Sequence, residues 1–311
     1  EDPSARTVVI DEAILAQIDR IPSKAEFLSA ALAAGIRAPE TSIAAGPADA
    51  RILGERLGYP LVAKAAHGHG GMGIERVDDP SSFERFGDDA WPQILQPLIE
   101  GVPATTEVLF VRGEPVRWFT SEMRDCWPSR FSPSSSRRVV DHPEVADFLQ
   151  RIGTLTQFDG LAGIDWLIAE DGRLFLIEMN YRPTTCYDLT PQIRAAFVRA
   201  LAQAARGEAI EPRGAIAAEL GKQYPQFPQY LYFAAFEPGL PLHRRVGGML
   251  RTFSRADWRD PRLVLTHLED FALACYNKSR LPHVAHALKS AIVGRRARSD
   301  RTQSQARSSQ S

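Results

Sequence analysis

The sequence predicts an α+β protein on three observations. Helical segments with capping signals occupy the chain before Gly58. Short β-branched and apolar runs, broken by Gly and Pro, fill Tyr59 to Glu122. Two alternating strands flank an Asp171-Gly172 turn. A chain of 311 residues is long enough for two domains or one large one.

Thr7–Ile10 reads as a short strand and Asp11–Arg20 as a helix. Ser23-Lys24-Ala25-Glu26 is a capping box, opening a helix that Gly35 closes. Pro47 starts a second helix, Ala48 to Leu57, ended by Gly58. Strands follow at Pro60–Ala66, Gly73–Val77, Gln93–Gln96, Thr106–Val111 and Val116–Glu122, with a short helix at Pro80–Phe86. Trp127 to Ser136, rich in Ser and Pro, reads as a loop. His142-Pro143 begins a helix to about Phe158, and Asp159-Gly160 breaks it. Leu161–Ala169 and Arg173–Met179 are strands, and Thr190-Pro191 starts a helix ending near Gly207. Tyr224–Phe236 is aromatic and stays unassigned. Helices are expected at Pro261–Tyr276 and Pro282–Val293, and the polar chain after Gly294 as a disordered tail.

Lys plus Arg (37) nearly balances Asp plus Glu (38), which argues against a general nucleic-acid binder. Cys126, Cys186 and Cys275 are too few and too scattered for a disulfide framework or a zinc site, so a reducing, cytoplasmic setting is expected. No apolar run approaches the length of a membrane span, and Glu1-Asp2-Pro3 opens no signal peptide. Without an initiating methionine, the chain is expected to be a fragment.

The hairpin carries the most chemistry. With Asp171-Gly172 as a two-residue type I′ loop, Asp165 and Glu178 oppose each other across the ladder, and Asn180 shares their face. The same register puts Leu167, Leu174 and Leu176 on that face, making it a cleft wall. Opposed like charges destabilise a strand pair by up to ~1 kcal/mol. Keeping both beside an amide points to a divalent cation held by hard oxygen donors, Mg²⁺ rather than zinc. A solvent-facing sheet with scattered acids is the alternative.

Gly68-His69-Gly70-Gly71-Met72-Gly73 matches G-x-G-x-x-G, but a strand follows it rather than a helix, and no Walker or kinase pattern accompanies it. What remains is a strand carrying Lys64, then a glycine flap whose N–H groups suit a polyphosphate. A flexible surface turn is the alternative. Lys24 stands in the first turn of its helix, where a cation is unfavourable unless an anion joins it. Arg137-Arg138, near Arg130, could bind an anionic substrate or belong to a solvated loop. His283 and His286 read as a helix surface.

Together these segments resemble the ATP-grasp superfamily, nearest to its carbamoyl-phosphate-synthase and biotin-carboxylase branch and the carboxylate–amine ligases. The match runs through Ser23-Lys24, Tyr59 to Lys64 before the flap, Ile94 to Gly101, Gly163-Ile164-Asp165 and Ile177 to Arg182. The resemblance implies two lobes gripping ATP: a small lobe over about 23–96, a large one over about 97–210 and a helical extension over 211–293. Residues 1–22 would be the remnant of an N-terminal α/β domain, and 294–311 the tail. It also implies roles. Lys24 and Lys64 would contact phosphates under Gly70 and Gly71. Gln96, Pro97, Leu98 and Ile99 would hold adenine, with Glu107 near the ribose. Asp165, Glu178 and Asn180 would bind Mg²⁺, with Mn²⁺ as an alternative, and Arg182 would face the transferred phosphoryl group.

The implied reaction joins a small-molecule carboxylate to an amine through an acyl-phosphate. A nucleotide-binding remnant without turnover and a phosphotransferase on the same fold are the rival readings. No nucleic acid or membrane partner is expected, and homodimerisation is left open.

Overall fold

The computed structural model describes residues 23–65, 74–126, 131–132, 134–256, 258 and 260–279, the side chains of 185 and 276–279 excepted. The elements expected in 1–22, the glycine flap and the Pro282–Val293 helix with its tail lie outside the described residues. The chain divides into two compact units, residues 1–224 and 225–311.

The first unit opens with α1 (Lys24–Ala33). Its capping box closes as expected: the Ser23 N–H donates to Glu26 Oε2 at 2.7 Å and the Ser23 hydroxyl accepts from the Glu26 N–H. Gly35, at φ +77°, provides the left-handed exit. After β1 (Ser42–Ala44) comes α2 (Pro47–Leu57), with Pro47 in its first turn and Gly58 at its end. β2 (Leu61–Ala65), β3 (Ile74–Val77) and β4 (Gln93–Pro97) complete an antiparallel sheet in the order β1-β4-β2-β3. Between β3 and β4 the chain makes two 3₁₀ turns, Pro80–Arg85 and Asp88–Ala90. Ala50 of α2 packs with Leu61, Ala63, Val77, Phe83 and Leu95 in the core under this sheet.

The larger sheet starts with β5 (Gly101–Val111) and β6 (Glu114–Cys126), joined at Arg112-Gly113, both at positive φ as a tight I′ turn requires. It continues with β7 (Ser134–Val140), α3 (Val145–Thr156), β8 (Gly160–Ala169) and β9 (Leu174–Asn180). A 3₁₀ turn (Thr185–Asp188) leads into α4 (Pro191–Ala205), capped by the Thr190 hydroxyl. β10 (Gly214–Ala215) and β11 (Gln223–Pro225) follow. The strand order is β11-β7-β6-β5-β8-β9, with β10 parallel to β6. The sheet therefore runs past residue 210, where the helical extension was expected to begin.

One strand shows how the sheet is used. The even positions Ala104, Val108 and Phe110 of β5 face a core shared with α1 and α3. On the other face, Leu109 packs in a core with Ile193 and Phe197 of α4. Further along that second face, Thr105 and Pro103 line a cavity. Helix α1 corrects an expectation: Phe27, Leu28 and Ala31 bury against the large sheet, so Lys24 does not belong to the small lobe. Ser134–Val140 corrects another, because this serine-rich stretch is a strand of the large sheet, paired to β6.

The second unit holds α5 (Gln229–Phe236), α6 (Leu242–Ser254) and α7 (Pro261–Ser279). Its aromatic packing includes Tyr232 edge-on to Phe271 at 5.4 Å. Among the described residues no helix is long and apolar enough to cross a membrane.

Candidate active site

The carboxylate hairpin folds by a route the sequence reading missed. Its loop has three residues, Glu170 to Gly172, closed by the Ala169 N–H donating to Arg173 O at 2.9 Å, with Gly172 at φ +82°. Ile168 therefore pairs with Leu174 and Trp166 with Leu176, one residue off the expected register. A bulge between Asp165 and Trp166 then absorbs one extra residue on β9, and Asp165 pairs with Glu178 as expected. The bulge also corrects the faces. Leu174 and Leu176 lie in the core with Trp166 and Met179, not beside the carboxylates. Leu167 and Ile177 line the cavity with them.

This cavity, about 470 Å³, is lined by most of the residues singled out from the sequence. Lys24 comes from α1, Lys64 from β2, and Gln96, Pro97, Leu98 and Ile99 from the end of β4 and the segment after it. Asp165 stands on β8, Glu178 and Asn180 on β9, and Arg182 just beyond. Gly70 and Gly71 lie outside the described residues.

The anion that Lys24 lacked in the sequence is Glu178, whose Oε2 lies 2.6 Å from Nζ. Lys64 donates to Gln96 Oε1 at 2.6 Å, and Gln96 passes a second bond to Thr41 at 2.8 Å. The Gln96 side chain is thereby committed within the protein, while Pro97, Leu98 and Ile99 line the cavity beside it. Burial, reinforced by the Lys24 charge and opposed by Glu178 and Asp165, pushes the Lys64 ammonium down to about 8.

Asp165 accepts from the Thr105 hydroxyl at 2.9 Å and from Asn180 Nδ2 at 3.0 Å. Burial raises its pKa, the Glu178 charge adds to that, and these two hydrogen bonds and Arg137 oppose it. Arg137 donates to Thr105 Oγ1 at 3.0 Å and lines the cavity from β7.

Glu107 requires a correction. It is fully buried, hydrogen-bonded to the Thr184 hydroxyl, and its Oε2 has no partner. It does not line the cavity, so a ribose hydroxyl has no access to it. Burial pushes its carboxyl up to about 7.

Asp165, Glu178 and Asn180 suit a magnesium ion. Their oxygens are hard donors, and an internal ammonium already rests on one of the two carboxylates. Among the described residues no group of three or more His, Cys, Asp or Glu side chains converges.

Thr105 and Thr184 were not singled out from the sequence. Thr105 stands at strand period two from Glu107, but Pro103 hid the start of β5.

The ATP-grasp domain family matches residues 23–186, more than half of the chain, and the chain belongs to that family. It is 30% identical over 155 residues to the D-alanine–D-alanine ligase of Nitratidesulfovibrio vulgaris (strain DP4), covering 45% of this chain and 51% of the ligase. The carbamoyl phosphate synthase large chain of Deinococcus radiodurans is 22% identical over 242 residues, 72% of this chain and 23% of that one. Among solved structures, one similar fold is the biotin carboxylase domain dimer of Hydrogenobacter thermophilus 2-oxoglutarate carboxylase, in complex with MgADP, ADP and bicarbonate. Its TM-score is 0.52 at 18% identity, covering 63% of this chain and 48% of that one. The chain spans about half the length of these curated D-alanine–D-alanine ligases.

Proposed function

We propose that the protein is an ATP- and Mg²⁺-dependent ligase that joins a small-molecule carboxylate to an amine through an acyl-phosphate. The observation that carries this reading is the convergence on one cavity of Lys24, Lys64, Asp165, Glu178, Asn180 and Arg182. Lys24 and Lys64 would neutralise phosphate oxygens, and the backbone from Pro97 to Ile99 would seat the adenine. Asp165, Glu178 and Asn180 would hold Mg²⁺, which supplies charge neutralisation across the phosphates when bound.

The substrate carboxylate attacks the γ-phosphorus, and ADP leaves. The amine then displaces phosphate from the acyl-phosphate, giving an amide. Arg182, exposed and lining the cavity, would meet charge on the transferred phosphoryl group with a planar fork of donors. Catalysis on this reading is positioning and electrostatics, with no covalent enzyme intermediate. The similarity to D-alanine–D-alanine ligases supports ligase chemistry over about half their length.

The test is a thermal-shift titration with ATP, with and without Mg²⁺, on the protein and on Glu178→Gln. Ligand at a hundred times its Kd adds about 2.7 kcal/mol of stability. A Mg²⁺-dependent shift lost in the variant is expected. Carboxylate–amine pairs are then screened for ADP release, with hydroxylamine trapping the acyl-phosphate. ADP release with no hydroxamate would point to phosphotransfer, and a cooperative melt that ATP does not move would overturn the reading.

A further inference from the structure

We infer that Thr105 and Arg137 are positioning residues that hold the Asp165 carboxylate in place for a divalent cation, with Arg137 acting through the Thr105 hydroxyl. This rests on the ligase reading above. Three strands supply the parts: Arg137 on β7, Thr105 on β5 and Asp165 on β8. Arg137 reaches over β6, where the residue opposite Thr105 is the small Ser121.

The direction of each hydrogen bond follows from the groups. A guanidinium can only donate, so the Arg137 bond at 3.0 Å occupies an acceptor lone pair of Thr105 Oγ1. The single hydroxyl proton is then left for Asp165 Oδ1, 2.9 Å away. Asn180 Nδ2 fixes the second oxygen, Oδ2, at 3.0 Å. The carboxylate is thus gripped from β5 on one side and β9 on the other, with a further lone pair on each oxygen available to a cation.

The interposed hydroxyl matters electrostatically. A guanidinium bonded directly to Asp165 would form an ion pair and compete with a metal for the same charge. Through Thr105, the arginine orients the carboxylate while its own hydrogen bond goes to the hydroxyl. Valine would satisfy the strand at position 105 equally well and would supply no donor. Partners of this kind, behind metal ligands, typically carry a 10–100-fold effect on metal affinity.

The experiment is a Mn²⁺ titration by electron paramagnetic resonance at saturating ADP, on the protein and on Thr105→Val, Thr105→Ser, Arg137→Met and Asp165→Asn. Thr105→Val is expected to weaken Mn²⁺ binding at least ~10-fold, while Thr105→Ser stays within ~3-fold. Arg137→Met should fall between them. If Asp165→Asn loses Mn²⁺ but Thr105→Val and Arg137→Met keep it, the inference fails and the ligase reading stands. If Thr105→Ser weakens Mn²⁺ as much as valine does, the role is packing and the inference fails. If the unaltered protein binds no Mn²⁺ with ADP, both fail. Should Thr105→Val not fold, the Arg137→Met and Thr105→Ser pair decides alone.

Discussion

The Lys24 ammonium rests 2.6 Å from Glu178 Oε2, bridging the first turn of α1 to the last part of β9. The pair is partly exposed, so its worth to stability is modest. Its interest lies in competition, because Glu178 is an expected metal ligand and Lys24 an expected phosphate ligand. Each is occupied by the other until ligands arrive. Lys24→Met should therefore tighten Mn²⁺ binding several-fold without nucleotide and weaken ATP binding at least ~10-fold. Paired titrations check this, and unchanged Mn²⁺ affinity would show that the ion pair does not guard the carboxylate.

Lys64 should make nucleotide binding depend on pH. Its folded pKa of about 8 lies below the usual 10.5, so between these values the unfolded chain binds a proton the native state lacks. Stability from this group accordingly rises with pH across that window. Nucleotide affinity moves the other way, since a polyphosphate favours the charged lysine. Calorimetry at pH 8.5 in buffers of different ionisation enthalpy should find proton uptake on ATP binding, absent in Lys64→Met.

Glu107 behaves oppositely. Burial raises its carboxyl to about 7 from 4.5, so the native state holds a proton there that the unfolded chain has released. The stability this group contributes is present below pH 4.5 and is lost as pH rises toward 7, by at most about 3 kcal/mol. Glu107→Gln removes the charge and keeps the shape. It should melt above the unaltered protein at pH 8 and match it near pH 4.5, which a pH series of thermal melts would read.

Gly153 on α3 lies against the β5–β6 turn: a Cβ there would stand 1.8 Å from the Gly113 carbonyl oxygen. Gly153→Ala must push α3 off the sheet, with a cost of about 1–3 kcal/mol or more. A urea midpoint equal to that of the unaltered protein would contradict this packing.

How much of this was legible in the sequence varies by element. The Ser23–Glu26 box and the Pro47 start were readable because capping is local chemistry. Helix α6 was not, since Gly247-Gly248 argues against a helix. Gly248 is there because a Cβ would stand 2.2 Å from the Tyr230 ring. Strand β7 was hidden by Ser134–Ser136, whose weak strand preference is overridden by burial in the sheet. Asp165 and Glu178 were paired correctly from a turn that was one residue too short, because the bulge restored the difference. The Lys24–Glu178 contact spans 154 positions, and no local rule reaches that far.

The bulge on β9 decides which face of the strand carries its polar side chains. Leu174 and Leu176 face the core, while Glu178 and Asn180, still at even numbers, face the cavity. Ile177 is what changes the parity between them. Without the bulge the ladder would set Ile177 opposite Asp165 and turn Glu178 and Asn180 toward Trp166 and the apolar interior. At this point of the chain the chemistry depends on where the ladder takes up its extra residue as much as on the identity of any one side chain.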